Sequence, residues 1–367
     1  MEELHMMNAY LFPGQGSQAK GMGLELFEEF PELTRKASDI LGYSIIDLCR
    51  NDPDGKLKLT QYTQPALFIV NALTYLKKVK ETNRKPDFVA GHSLGEYDAI
   101  FAAGGFDFET GVKLVKRRGE LMSQAAGGAM AAVVGLTEQQ VREVLVKNHL
   151  TEIDVANLNA PKQIALSGRE EDIEHAQSVY KNEGASYIKL KVSAAFHSRY
   201  MKPAQEEFER YLNQFTFSEL SIPVISNYTA RPYEKNSIKE NLTNQLVSPV
   251  RWTDSIYYLL RQGEIEFEEI GPGHVLQNLM KKIKADYVCV EEQDSKRNIN
   301  KLKNDAEEMV NHFNNKYPIG TMITFKGYQE KLKTRTKAML LFGHRAAVYV
   351  ENYNGYFALD EIVEIDG

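Results

Sequence analysis

The chain opens on a short apolar run, Asn8-Ala9-Tyr10-Leu11-Phe12, that stops at Pro13-Gly14-Gln15-Gly16-Ser17-Gln18. An apolar run of that length bounded by turn residues predicts a strand, and a helical stretch follows through Phe30. From Thr63 to Lys80 apolar residues return at helical spacing and lysines gather at the end, where cations suit the negative pole of a helix. Pro86-Asp87 then leads into a second strand, Phe88-Val89-Ala90, broken at Gly91-His92-Ser93-Leu94-Gly95. Glu96–Ala103 reads as a helix closed by Gly104-Gly105. Strands followed by helices predict an α/β sheet.

The texture changes between about Gly127 and Lys191. GAMAAVVG predicts a strand, and TEQQVREVLVKNH a helix whose Thr137 and Gln140 stand at capping-box spacing. IDVANLNAPKQIALSG reads as a strand pair, EEDIEHAQSVYKNEG as a helix and ASYIKLKV as a strand. This β-α-β-β-α-β order predicts a ferredoxin-like unit inserted into the larger domain. Helices and short strands continue to about Ala285, and a polar stretch from Glu291 sets off a small β appendage. Its expected strands are Thr321–Gly327, Ala338–Gly343, Ala346–Glu351 and Gly355–Leu359.

Composition narrows the function classes. The 367 residues carry 44 Lys and Arg against 50 Asp and Glu, a net charge of −6. That leaves no basic excess for a polyanion, so nucleic-acid binding is disfavoured. Cys49 and Cys289 are the only cysteines. They form no zinc-type cluster, which argues for a reducing compartment and against a metal site. The start lacks the pattern of a secretory signal, with Met7 a plausible initiator, and no run of 18 apolar residues predicts a membrane span. The expectation is a soluble cytoplasmic protein without a membrane partner.

Gly91-His92-Ser93-Leu94-Gly95 fits G-x-S-x-G between a strand and a helix, the context of a nucleophile elbow. Ser93 is the candidate nucleophile, and the amide of Leu94 sits where an oxyanion would be held. Of eight histidines, His5, His149 and His175 read as peripheral and His92 as support for the turn. His197, between a strand and a helix, competes as base with His274 in Gly271-Pro272-Gly273-His274. Gly14-Gln15-Gly16-Ser17-Gln18-Ala19 also fits G-x-G-x-x-A with Asp39 downstream, a chance match to a dinucleotide fingerprint. Its better role is a second backbone donor facing Ser93. In Arg117-Arg118-Gly119, a guanidinium can hold a substrate carboxylate through paired hydrogen bonds.

Eight separated motifs then share one resemblance. They are PGQGSQ (13–18), TQPAL (63–67), GHSLGEY (91–97), RRGELM (117–122), NLNAPKQIALSG (157–168), AAFHS (194–198), NQLVSPVRW (244–252) and GPGHVL (271–276). Together they resemble the malonyl-CoA:acyl-carrier-protein transacylases, especially the free-standing acyltransferases that serve polyketide synthases in trans. The resemblance spans about residues 8–285. It implies an α/β-hydrolase-like catalytic subdomain over 7–126 and 192–290, with the ferredoxin-like subdomain at 127–191. A linker or helix at 291–315 and the β appendage at 316–367 complete the expected organisation.

The same resemblance implies Ser93 as nucleophile and His197 as base, with the amides of Gln15 and Leu94 as oxyanion hole. It gives Arg118 the substrate carboxylate and Gln245 the carbonyl that steadies the histidine. Asn157 and Asn159 are implied near the cleft, and Phe196 as a malonyl-type residue that leaves little room for an α-methyl branch. No metal or bound cofactor is implied. The substrate is malonyl-CoA, and the partner is an acyl carrier protein with its phosphopantetheine thiol, in polyketide or fatty-acid synthesis. An acyl hydrolase of the same fold is the alternative, although it has no use for a carboxylate clamp. Lys316 to Arg345 holds seven basic residues against one acidic, read first as the solvated basic face of a structural appendage, with a docking face for an acidic carrier protein or synthase module as the sharper alternative.

Overall fold

The computed structural model describes residues 6–125, 127–192, 194–295, 299–343 and 345–366, with the side chains of 289–302 excepted. His5, Ser193, His344, the Cys289 side chain and much of the polar stretch from Glu291 lie outside the described residues. Two compact units are present, Met1–Ile283 and Lys284–Gly367.

Among its described residues the first unit has eight strands: β1 (Met7–Phe12), β2 (Phe88–Gly91), β3 (Gly128–Val134), β4 (Asp154–Ala160), β5 (Gln163–Arg169), β6 (Ser186–Lys189), β7 (Val224–Ile225) and β8 (Ile265–Glu269). Four of them form a parallel sheet in the order β7-β2-β1-β8. Side chains alternate across a strand, so a run apolar throughout feeds two cores at once. Tyr10 and Phe12 of β1 enter a large core with Leu67, Phe68, Leu94 and Phe208. Ala9 and Leu11 enter another with Trp252, Ile256, Leu276 and Ile283. The register pairs Phe12 with Gly91. The loops leaving β1 and β2 therefore emerge side by side.

The other four strands form an antiparallel sheet in the order β4-β5-β3-β6. Its helices, Glu138–Lys147 and Glu170–Asn182, intervene between β3 and β4 and between β5 and β6, giving the β-α-β-β-α-β sequence. Thr137 and Gln140 form the expected capping box. Two register shifts interrupt β4, at Val155/Asn157 and Leu158/Ala160. There the strand also bonds outward, Leu158 N–H to Val250 O and Val250 N–H to Ala156 O, both at 2.9 Å.

In the second unit the helix Ile299–Lys316 is followed by β9 (Met322–Phe325), β10 (Leu332–Lys333), β11 (Met339–Leu341), β12 (Arg345–Tyr349), β13 (Tyr356–Ala358) and β14 (Ile362–Ile365). They pair as β10-β9-β14 and β11-β12-β13 over Phe313, Ile323, Phe325, Val348 and Phe357. The sequence pattern missed β10 and β14. β14 changes the charge picture, because it brings Glu364 and Asp366 to Lys331. Lys333 meets Glu351 at 3.0 Å, and Arg335 lies over the ring of Tyr349. The basic excess counted over 316–345 is therefore offset by acids later in the chain. Among the described residues no helix is long and apolar enough to cross a membrane.

Candidate active site

Three backbone segments meet where β1 and β2 end, and glycine is what lets them. A Cβ on Gly95 would stand 2.0 Å from Phe12 O, and one on Gly14 2.3 Å from His92 O. Between them Ser93 adopts φ 52°, a left-handed conformation that costs a serine on the order of 1–3 kcal/mol. It is held from both sides. Ser93 N–H donates to Asn227 Oδ1 at 2.7 Å, and Gln245 Nε2 donates to Ser93 O at 2.8 Å. The Oγ then stands clear of the turn, as G-x-S-x-G predicts.

Ser93 Oγ lies 2.8 Å from His197 Nε2, and His197 Nδ1 lies 2.9 Å from the main-chain oxygen of Gln245. A carbonyl oxygen only accepts, so Nδ1 carries the proton and Nε2 turns its lone pair to the serine. The loop that delivers His197 is anchored two residues on. Buried Asp154 of β4 accepts from Arg199 N–H at 2.8 Å and from its guanidinium at 2.6 Å. Burial, with the charge of Arg118 adding to it, holds the His197 imidazole down at about 3. The ring is neutral at pH 7.

Arg118 comes from the helix Phe108–Gln124 and is 1% exposed. Nη1 donates to Gln64 Oε1 at 2.6 Å. Nη2 donates to Gln245 Oε1 at 2.9 Å and to Ser93 Oγ at 3.1 Å. Its guanidinium lies 5.3 Å from the centre of the Tyr97 ring. Nε makes no hydrogen bond among the described residues. A buried cation with neutral partners and a spare donor beside a nucleophile is suited to an anionic substrate group.

The loop after β1 is pinned by Asn71 Nδ2, which donates to Pro13 O at 3.0 Å and to buried Asp98 at 2.9 Å. The Gln15 amide side chain reaches Thr60 Oγ1 at 3.3 Å. Among the described residues neither Gln15 N–H nor Leu94 N–H has a protein acceptor. The first helix after this loop begins at Leu24, too late for the dinucleotide fingerprint, which needs a helix directly after its glycines.

Ser93, His197, Arg118 and Gln245 thus converge on one oxygen and its partners. Phe196 is buried in the large core immediately before His197. Asn157 is buried on β4, in the interrupted stretch that pairs with Ala165 and bridges to Val250. Asn159 is the β4 asparagine that reaches the elbow, through His92 Nε2 at 2.7 Å. His274, the rival base, is exposed just before the helix Val275–Ser295. Sequence reasoning passed over Gln64, Glu96, Asn227 and Tyr233. Gln64 and Glu96 had a signal, as polar residues inside apolar helical runs, whereas Asn227 and Tyr233 lie in a loop with none. Among the described residues no three His, Cys, Asp or Glu side chains are grouped to hold a metal ion.

With that geometry in place, comparison with known proteins gives one answer. Residues 9–321 match the family model of the acyl transferase domain. The polyketide biosynthesis malonyl CoA-acyl carrier protein transacylase PksC of Bacillus subtilis is 56% identical over 282 residues, 76% of this chain and 98% of that protein. The crystal structure of malonyl CoA-acyl carrier protein transacylase from Burkholderia pseudomallei superposes with a TM-score of 0.74 at 50% identity, covering 76% of this chain and 98% of that one. A type II polyketide acyl-carrier protein in complex with its malonyl-transacylase gives a TM-score of 0.71 at 35% identity, covering 76% and 93%. The chain belongs to the acyl transferase family, among the malonyl-CoA–acyl carrier protein transacylases.

Proposed function

We propose that this protein moves a malonyl group from malonyl-CoA to the phosphopantetheine thiol of an acyl carrier protein, through an ester on Ser93, acting in trans for a polyketide synthase. The observation that carries the reading is the meeting of neutral His197 and cationic Arg118 on one atom, Ser93 Oγ, at 2.8 and 3.1 Å. His197 Nε2 takes the hydroxyl proton as Oγ attacks the thioester carbonyl. The amides of Gln15 and Leu94 receive the oxyanion, one such donor being worth about 3 kcal/mol. Coenzyme A leaves with the proton, and the malonyl carboxylate rests on Arg118. The carrier's thiol then gives its proton to His197 and attacks the ester, restoring Ser93. No electrons change hands, so the step calls for no redox cofactor, and the residues named supply the acid–base work without a metal.

Phe196 and Asn157 serve this reading as wall residues. The ring of Phe196 supports preference for malonyl over an α-methyl homologue, a difference of about 1–3 kcal/mol. The strand order of the antiparallel sheet supports a ferredoxin-like subdomain at 127–191 within an α/β-hydrolase-like subdomain at 7–126 and 192–290. A linker or helix over 291–315 and an appendage at 316–367 follow. We read the enzyme as cytoplasmic.

Steady-state kinetics with malonyl-CoA and a holo carrier protein varied together test the proposal. Parallel double-reciprocal lines are expected for a covalent intermediate, and intersecting lines contradict it. The acid limb is a second expectation. Since burial and Arg118 depress the His197 imidazole, the base stays unprotonated to lower pH than a free histidine. The fall in kcat/KM should therefore begin well below pH 6.5. A limb centred at the ordinary histidine value of about 6.5 would show that His197 is not held neutral.

A further inference from the structure

Glu96 follows the elbow on the helix Gly95–Ala102 and has no solvent exposure. A carboxylate in that position needs donors on both oxygens, and it has them. Oε1 accepts from Tyr233 Oη at 2.5 Å and from Asn227 N–H at 3.1 Å. Oε2 accepts from Gln245 Nε2 at 2.5 Å. Two of these donors belong to residues that hold the reacting groups. Gln245 holds His197 through its main-chain oxygen and Arg118 through Oε1. Asn227 holds Ser93 N–H through Oδ1 and Gly91 O through Nδ2.

We propose that Glu96 is a positioning residue for the acyl transfer, tying the base-and-clamp side of the site, through Gln245, to the nucleophile side, through Asn227. The inference rests on the Ser93–His197–Arg118 reading above. Its logic is one of acceptors. The arrangement requires an accepting atom at Oε1 and another at Oε2, because Gln245 Nε2 and Asn227 N–H can only donate. A glutamine at this position has one accepting oxygen, so either orientation of its amide sets N–H against N–H. Protonation does no such harm. Burial raises the Glu96 carboxyl to about 7 against the opposing pull of Arg118, Tyr233, Asn227 and Gln245. A proton on Oε1 is taken by the Tyr233 hydroxyl, which turns from donor to acceptor, while Oε1 keeps a lone pair for Asn227. Tyr97 is the other titratable group beside it, and burial keeps that phenol protonated.

The test compares Glu96→Gln, Glu96→Asp and Tyr233→Phe in the full chain. Folding is checked by thermal unfolding, and the rate of acylation is referred to the fraction of sites that load. Glu96→Gln is expected to lower the per-site acylation rate with malonyl-CoA by about ten- to a hundredfold. It should also narrow the preference for malonyl-CoA over acetyl-CoA by about tenfold, since Arg118 loses its alignment. Glu96→Asp keeps both acceptors and should show a smaller loss in both, which serves as the readout if Glu96→Gln does not fold. Tyr233→Phe removes one of the two donors to Oε1, and because Asn227 N–H still holds that oxygen it should lose less than Glu96→Gln does. A double cycle with Gln245→Met should be strongly non-additive. A folded Glu96→Gln, or failing it Glu96→Asp, with wild-type per-site rate and unchanged acyl preference overturns the inference. If Ser93→Ala still loads malonyl, the underlying reading fails instead.

Discussion

Ser93→Ala is expected to lower malonyl transfer by at least about ten-thousandfold, the scale on which an activated serine and its base act as a unit. The variant is a clean one. Alanine keeps the backbone that Asn227 and Gln245 hold through Ser93 N–H and O, so the elbow and both oxyanion amides remain. What disappears is the oxygen that His197 Nε2 and Arg118 Nη2 share. The conformational strain at φ 52° persists, and the melting temperature should move little. Formation of malonyl-carrier from holo carrier protein, followed by mass, checks the rate. Residual transfer within about tenfold of wild type, far from the loss expected of a nucleophile, would mean that another group is acylated.

Arg118→Ala carries the next largest effect, and it should be selective. Truncating one partner of a buried charged contact costs about 2–5 kcal/mol, so kcat/KM for malonyl-CoA should fall by about thirty- to four-thousandfold. Acetyl-CoA has no carboxylate to lose and should change by less than about tenfold. The preference between the two thioesters therefore collapses. Part of any general loss would come from Gln64 Oε1 and Gln245 Oε1, which the substitution leaves without their donor. For that reason the ratio of the two substrates is the proper readout. Equal losses for both would make Arg118 a structural support for Gln245 and Ser93 rather than a carboxylate clamp.

Glu96 adds a second route to the same consequence. Substitution at Glu96 should reproduce a weaker form of the Arg118 phenotype, because Gln245 is the acceptor that aims the guanidinium.

What could be read from the chain was local. G-x-S-x-G between an apolar strand and a helix contains the whole physical demand of an elbow, since the glycines must be where backbones collide. The apolar run of β3, the capping box at Thr137 and the helix around Thr63–Lys80 are likewise properties of short windows. Choosing between His197 and His274 was not local, and residue spacing left it open. The packing supports His197, seating it beside Ser93 and leaving His274 exposed. Asn227 and Tyr233 had no sequence signal, because their importance lies in hydrogen bonds made across more than a hundred residues of chain. The asparagine that reaches His92 is Asn159, which only the register of an interrupted strand reveals. In the C-terminal unit the basic stretch looked one-signed until β14 returned with its acids.

The central claim is a malonyl ester on Ser93 that waits for a carrier thiol. The most direct test is the intact mass of the purified protein after malonyl-CoA is added, followed by a holo acyl carrier protein. The expected result is a gain of one malonyl group that persists without carrier, is discharged when the carrier arrives, and is absent in Ser93→Ala. No adduct during turnover, or an adduct lost to water as fast without the carrier as with it, would contradict it.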